Sequence, residues 1–302
     1  MDVSVANYLS QYTNFTKKVV YQFNLGDGGI GDYIKLFLVL IQWCIKHNIR
    51  IYNLIGDSLL IDYLKLKRDD MYITNEELIE SVPFTNIDII EEATYYVITP
   101  QIIFDIIMPD VFCSKYERDC FDNFQLEILS FAHQFFYFTD EVKTNAESFI
   151  HDNEDYISIH LRLGDRYLEI DKKLIQCVND VRKYNEQELF KYIKENKDKK
   201  ILFFCDNHGY KLKLKKLYRQ IIITDYEIGH TTYASTSRKQ VLNSVTDFFI
   251  LSNSSSIYVA SYSGFSMMAS KFKNISVIYP PALPPPQPTK ISTPKRFGLI
   301  KF

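Results

Sequence analysis

Tyr156-Ile157-Ser158-Ile159-His160-Leu161-Arg162-Leu163-Gly164-Asp165 decides how this chain folds. The first six residues form a short run with alternating apolar positions, the signature of a strand. The last four hold an arginine, a glycine and an aspartate, which turn the chain out of a sheet. Moving outward, the same rhythm repeats through the carboxy-terminal half. Ile201-Leu202-Phe203-Phe204-Cys205, Gln220-Ile221-Ile222-Ile223-Thr224, Ile257-Tyr258-Val259-Ala260 and Ile275-Ser276-Val277-Ile278-Tyr279 each read as a strand. Helix-favouring segments fall between them at 181–195, 210–218, 238–251 and 265–272. Strands that alternate with helices predict a parallel sheet with right-handed crossovers, a Rossmann-like layer.

The amino-terminal half follows the same plan less regularly. Strands are expected at 19–23, 50–55 and 95–98, a helix at 33–47, and aromatic-rich helical segments within 117–136. A chain of 302 residues exceeds the size at which a single core keeps growing, so two domains are expected. They are placed at 1–145 and 146–280, followed by a proline-rich, extended tail at 281–302.

Composition narrows the function classes. A hydrophobic content of 46% against 24% charged residues predicts a globular rather than a disordered chain. The net charge of −2 lacks the basic excess a nucleic-acid surface requires. The densest basic run, 211–219, reads as the solvated face of a helix. Cys44, Cys113, Cys120, Cys177 and Cys205 include no CxxC pair and read as reduced, buried thiols. Cys113 and Cys120 are the pair to consider in an oxidising compartment. The amino terminus shows neither the basic nor the apolar region of a signal peptide, and no run reaches the ~20 apolar residues of a membrane span. A cytoplasmic protein is expected.

In open parallel sheets, ligands sit beyond the carboxyl ends of the strands. After the first strand of the carboxy-terminal half stands Arg162, whose planar fork of donors suits a phosphate. His160 and Asp165 flank it, and Gly164 permits the turn. These residues are read in two ways, as an anion site or as an Arg–Asp pair closing a loop over a core histidine. Asp206-Asn207-His208 after the next strand is explained by helix capping, with Asp206 as the cap. Ser261-Tyr262-Ser263-Gly264-Phe265-Ser266 opens a short helix whose free N–H groups can hold an anion. Asp247 lies in an apolar helix, where burial without a partner is costly, and the donor edge of a guanine would suit it. In the amino-terminal half, Gly26-Asp27-Gly28-Gly29-Ile30-Gly31-Asp32 joins a strand to a helix without a Walker lysine. No Asp-x-Asp motif is convincing, so neither a divalent metal nor a cofactor is expected.

Taken in order, these motifs resemble those of the GDP-fucose-dependent α1,2-, α1,6- and protein O-fucosyltransferase superfamily. His160-Leu161-Arg162-Leu163-Gly164-Asp165 is similar to its donor motif, 247–263 to its third motif, and Gly28-Gly29-Ile30-Gly31-Asp32 to its first loop. The resemblance implies a GT-B fold of two facing Rossmann-like domains, α/β with parallel sheets. The first domain would face the acceptor and the second would bind the nucleotide sugar. It also implies metal-independent, inverting transfer from GDP-fucose to a glycan or protein hydroxyl. Arg162 would stabilise the departing GDP, His160 and Asp247 would contact the guanine side, and Ser263 with Gly264 the diphosphate. Asp165 would shape the Arg162 loop, and Gly29 and Gly31 would bring backbone close to the donor. Asp32 is the first candidate base and Asp27 the second, with helix capping as the competing account of Asp32. Where many members carry asparagine this chain has Asp32, and Gly-x-Gly-Asp also resembles the ADP-heptose transferases on the same fold. A transferase with another donor, or a silent sugar- or nucleotide-binding homologue, is therefore the alternative.

Overall fold

The computed structural model describes residues 5–54, 56, 58–78, 81–86, 90–92, 94–108, 127–152, 155–169 and 180–281. The proline-rich tail, Cys113, Cys120, Cys177 and the first half of the aromatic segment 117–136 lie outside the described residues. Two five-stranded parallel sheets form the frame. The first contains β1 (Lys18–Tyr21), β2 (Arg50–Leu54), β4 (Tyr72–Ile73), β5 (Ser81–Pro83) and β6 (Tyr95–Ile98), in the order β4-β2-β1-β6-β5. The second contains β8 (Ile157–Leu161), β9 (Ile201–Cys205), β10 (Ile221–Ile223), β11 (Ser256–Val259) and β12 (Ser276–Ile278), in the order β10-β9-β8-β11-β12. A two-stranded antiparallel ribbon pairs β3 (Leu64–Leu66) with β7 (Phe136–Phe138). The protein is thus α/β with two Rossmann-like parallel layers.

The second sheet shows why its residues take this arrangement. All five residues of β8 are buried, as expected of a central parallel strand covered on both faces. Ile157, Ile159 and Leu161 pack on one face with Leu189 and Ile193 of α4 (Glu186–Glu195) and Leu214 of α5 (His208–Leu217). The other face meets α6 (Arg238–Leu251) and α7 (Gly264–Phe272), whose Val245, Phe248 and Met268 join the main core. Helix starts are fixed by side-chain caps. Asn185 accepts from Gln187 N–H, Asn207 from Tyr210 N–H, and Ser237 and Gln240 close a reciprocal capping box on α6.

The main apolar core runs without a break from the first half into the second. Its axis is α2 (Ile30–His47), buried without interruption from Tyr33 to Ile41, which ends at Asn48 in the left-handed region, φ 54°. The helices α1 (Val5–Gln11) and α3 (Asp140–His151) add Val5, Tyr8, Val142 and Ala146 to it. The first turn of α2 presses against the start of α7. A β-carbon on Gly31 would lie 2.4 Å from the carbonyl carbon and oxygen of Gly264 and 2.8 Å from Phe265 N. The two halves therefore meet backbone against backbone, which only glycine at 31 permits.

Strand order sets where this meeting takes place. In the second sheet the chain runs outward from β8 through β9 to β10, then returns to the far side of β8 with β11. The order reverses between β8 and β11, the crevice where open α/β sheets hold ligands. In the first sheet the reversal lies beside β1, which has β2 on one side and β6 on the other. The glycine loop follows β1, Arg162 follows β8, and Ser261–Ser263 follow β11. Both reversal points thus open toward one another, and the Gly31–Gly264 contact lies at that junction. Among the described residues no helix is long and apolar enough to cross a membrane.

Candidate functional site

Arg162 is the centre of the site. Its backbone is tied to the loop after β11, for Ser261 Oγ accepts from Arg162 N–H at 2.8 Å and donates to Arg162 O at 2.8 Å. Its side chain, 18% exposed, is held by three carboxylates. Nη2 donates to Asp165 and lies 3.7 Å from Asp180, while Nε lies 3.3 Å from Asp206. The Nη1 edge makes no hydrogen bond among the described residues. Burial by itself lowers the Arg162 pKa, but Asp206, Asp165 and Asp180 together raise it above its ordinary value. The guanidinium stays charged.

Each carboxylate has a second task. Asp206 accepts from Leu163 N–H and Gly164 N–H, both at 2.8 Å, and its burial raises its pKa. The cap of α5 is Asn207 and not Asp206, a correction to the reading of Asp206 as a capping residue. Asp180 accepts from Asp165 N–H at 3.3 Å and pairs with Arg182 at 2.6 Å. Gly164 stands at φ 112°, and a β-carbon there would meet the Asp180 carbonyl oxygen at 2.1 Å. A left-handed backbone and a close approach both require glycine at this position.

The remaining expected residues fall into two groups. Ser263 caps α7 through Phe265 N–H at 3.3 Å, and Gly264 follows it at the contact with Gly31. Gly29 is the N-cap of α2, and its N–H donates to Asp32 Oδ2 at 3.3 Å. Asp32 also pairs with Lys35 at 3.3 Å, with its side chain 43% exposed. Asp27 accepts from Asn24 N–H at 2.6 Å, and burial raises its pKa. These residues share the junction with Arg162.

His160 and Asp247 lie deeper. His160 stacks on Phe265 with ring centroids 5.2 Å apart, and its Nδ1 has no hydrogen-bond partner among the described residues. Burial, reinforced by Arg162, lowers its pKa to about 3, so it is neutral. Asp247 is 1% exposed on α6 and accepts from Tyr226 Oη at 2.8 Å, leaving Oδ2 without a partner among the described residues. Burial raises the Asp247 pKa, and Lys211 acts in the opposite sense. This lysine is 0% exposed and donates to Thr224 O, Thr224 Oγ1 and Tyr226 O at 2.9, 3.2 and 2.8 Å. Lys211 thus departs from the expected solvated helix face, because its ammonium is the anchor for the loop after β10.

That loop supplies the residues the sequence reading passed over. Tyr233 Oη donates to Asp165, whose other oxygen accepts from Arg162. His230 stacks on Tyr233 with centroids 4.0 Å apart. Thr232 reaches the amino-terminal half, for Thr232 Oγ1 donates to Gly28 O, and Gly26 N–H donates to Thr232 O at 3.0 Å. A continuous chain of contacts therefore runs from Arg162 across the cleft to the glycine loop. The available signal was position alone: these residues follow a strand of the second sheet, as Arg162 does. Among the described residues no group of three or more His, Cys, Asp or Glu is placed to hold a metal ion.

No protein-family model and no curated protein matches the chain. Solved structures do. The crystal structure of the apo form of POFUT1 is similar with a TM-score of 0.51 and 11% identity, over 89% of this chain and 99% of that one. The structure of POFUT1 in complex with GDP-fucose gives a TM-score of 0.51 and 10% identity, over 88% of this chain and 98% of that one. The likeness extends through both parallel layers, and the fold is GT-B.

Proposed function

We propose that this protein is a glycosyltransferase that binds a GDP-sugar, GDP-fucose first among them, and transfers the sugar to a glycan or protein hydroxyl. The observation that carries the reading is the position of Arg162. It is a permanently charged guanidinium whose Nη1 makes no hydrogen bond among the described residues, at the reversal point of one sheet and opposite the glycine loop of the other. A donor lying across that junction would present its diphosphate to Arg162 and to the start of α7. Negative charge grows on the β-phosphate oxygen as its bond to the anomeric carbon breaks, and Arg162 stabilises that charge without a metal. Attack by the acceptor from the opposite face inverts the anomeric centre. The shared fold with a protein crystallised with GDP-fucose supports the choice of donor.

The ring of Asp165, Asp180 and Asp206 favours a second reading, a nucleotide-binding scaffold whose arginine is structural. One experiment separates the two. Thermal stabilisation is compared for GDP, ADP and UDP, and GDP release from GDP-fucose is measured with free sugars as acceptors. GDP at a hundredfold excess over Kd stabilises by about 2.7 kcal/mol. Removing one preorganised donor from a developing oxyanion costs about 10²–10³ in rate, which is the loss expected for Arg162→Ala. Wild-type turnover by a folded Arg162→Ala variant would sink the transferase mechanism, and equal stabilisation by all three nucleotides would sink the guanine preference.

A further inference from the structure

The loop after β10 carries a histidine whose protonation is fixed by its neighbours. Thr232 Oγ1 has one hydrogen, and it is donated to Gly28 O. Toward His230 Nδ1, 3.3 Å away, this hydroxyl can therefore only accept. The proton of the neutral imidazole sits on Nδ1, and the lone pair is on Nε2. Nε2 lies toward the N-cap of α2, where a β-carbon on Gly29 would lie 3.8 Å from it. It makes no hydrogen bond among the described residues. Stacking on Tyr233, which is bound through Asp165 to Arg162, fixes the plane of the ring. Asp32 and Asp27 are less well placed to accept a proton from a hydroxyl in the cleft. Asp32 is engaged by Gly29 N–H and Lys35, and Asp27 by Asn24 N–H.

We propose that His230 Nε2 is the proton acceptor for the attacking hydroxyl, an inference that rests on the transferase reading above. The acceptor oxygen forms its bond to the anomeric carbon while the bond from that carbon to the β-phosphate oxygen breaks. The bonding pair leaves with GDP, toward Arg162, and the hydroxyl proton moves to Nε2. The imidazolium then returns the proton to water. Thr232 is a positioning residue, since it reads the glycine-loop carbonyl and passes that orientation to the ring. The electrostatics agree with the geometry. Burial, then Arg162, lowers the His230 pKa to about 4, while Asp165, Asp32 and Asp180 act in the opposite sense. A diphosphate bound at Arg162 offsets the positive charge, so the base strengthens when the donor is in place.

The test measures GDP release from GDP-fucose, with water and with free sugars as acceptors, alongside GDP affinity by calorimetry. His230→Gln is expected to lower kcat/KM about 10²–10⁴-fold and to lose the acid limb of the pH–rate profile, with the GDP Kd nearly unchanged. Thr232→Val keeps the imidazole but frees its tautomer, and is expected to lower kcat with little change in donor KM. Wild-type GDP release by His230→Gln overturns the assignment, as does wild-type kcat in Thr232→Val if His230→Gln does not fold. A wild-type protein that binds GDP yet releases none from GDP-fucose overturns the proton-transfer role and leaves the nucleotide site standing. A wild-type protein that does not bind GDP fails the transferase reading itself, and the assignment with it.

Discussion

Replacing Gly31 by alanine tests whether the two halves meet as described. The added β-carbon would lie 2.4 Å from the carbonyl carbon and oxygen of Gly264 and 2.8 Å from Phe265 N. Non-bonded carbons settle at about 3.5–4.0 Å, so the first turns of α2 and α7 have to separate by about 1 Å or more. All three obstructing atoms belong to backbone, which no rotamer change can move aside. Overpacking of this kind costs about 1–3 kcal/mol, and alanine's better helix propensity returns at most about 1 kcal/mol. A net loss of about 1–2 kcal/mol lowers Tm by roughly 2–8 °C for a protein of this size. The same displacement pulls on the bonds from Gly26 and Gly28 to Thr232, so GDP affinity is expected to fall as well. Circular dichroism during heating gives the first quantity and calorimetry the second. A Gly31→Ala variant with unchanged or higher Tm and unchanged GDP affinity would refute the backbone-to-backbone contact.

Two further outcomes follow from buried charge. Asp247→Asn replaces the carboxylate that accepts from Tyr226 Oη by a neutral amide in a buried position, and the disturbed bond costs about 1–3 kcal/mol. Chemical denaturation measures this cost, and a nearly unaltered stability with a weakened preference for GDP over ADP would instead assign Asp247 to the guanine base. His160 gives a pH effect of definite sign. Its folded pKa of about 3 lies below the unfolded value of about 6.5, so between these pH values the unfolded chain takes up a proton that the folded chain refuses. Its contribution is complete above about pH 6.5 and is lost as pH falls toward 3. In His160→Gln the stability–pH slope across that window is expected to flatten by up to about 1.4 kcal/mol per unit, whatever its absolute stability. An unchanged slope would show that His160 is already charged in the fold.

Much of the second sheet was legible because its strands are apolar runs bounded by clear breaks. The strand at 201–205 and the helix at 238–251 coincide with expectation, and in the latter Ser237 and Gln240 close a capping box at its start. The helix expected from 181 begins at Glu186 instead. Arg182 N–H donates to Leu163 O at 2.8 Å and Asn185 caps the helix, so 181–184 are drawn to the end of β8. In the first sheet β4 and β5 have two and three residues, too few for a periodic pattern. Arg162 stood out by its place directly after a strand, beside Gly164 and Asp165. Asp165 was legible as its partner three residues on, but Asp180 and Asp206 were not, since they come from separate loops whose meeting depends on strand order. Strand order also hid His230, which no local motif marks.

The carboxylates around Arg162 set how much of its charge is left for any further anion. The guanidinium already has anions on two of its edges, supplied by the loops after β8 and β9 and by the segment before α4. In the transferase reading, a diphosphate arriving at the remaining edge would meet a charge already shared with resident counter-ions, and would gain less than at a bare arginine. Such a site would discriminate by valence, favouring a diphosphate over a monovalent ion. Each carboxylate also holds a neighbouring loop, so a change of pairing at the guanidinium would be felt along three segments of chain.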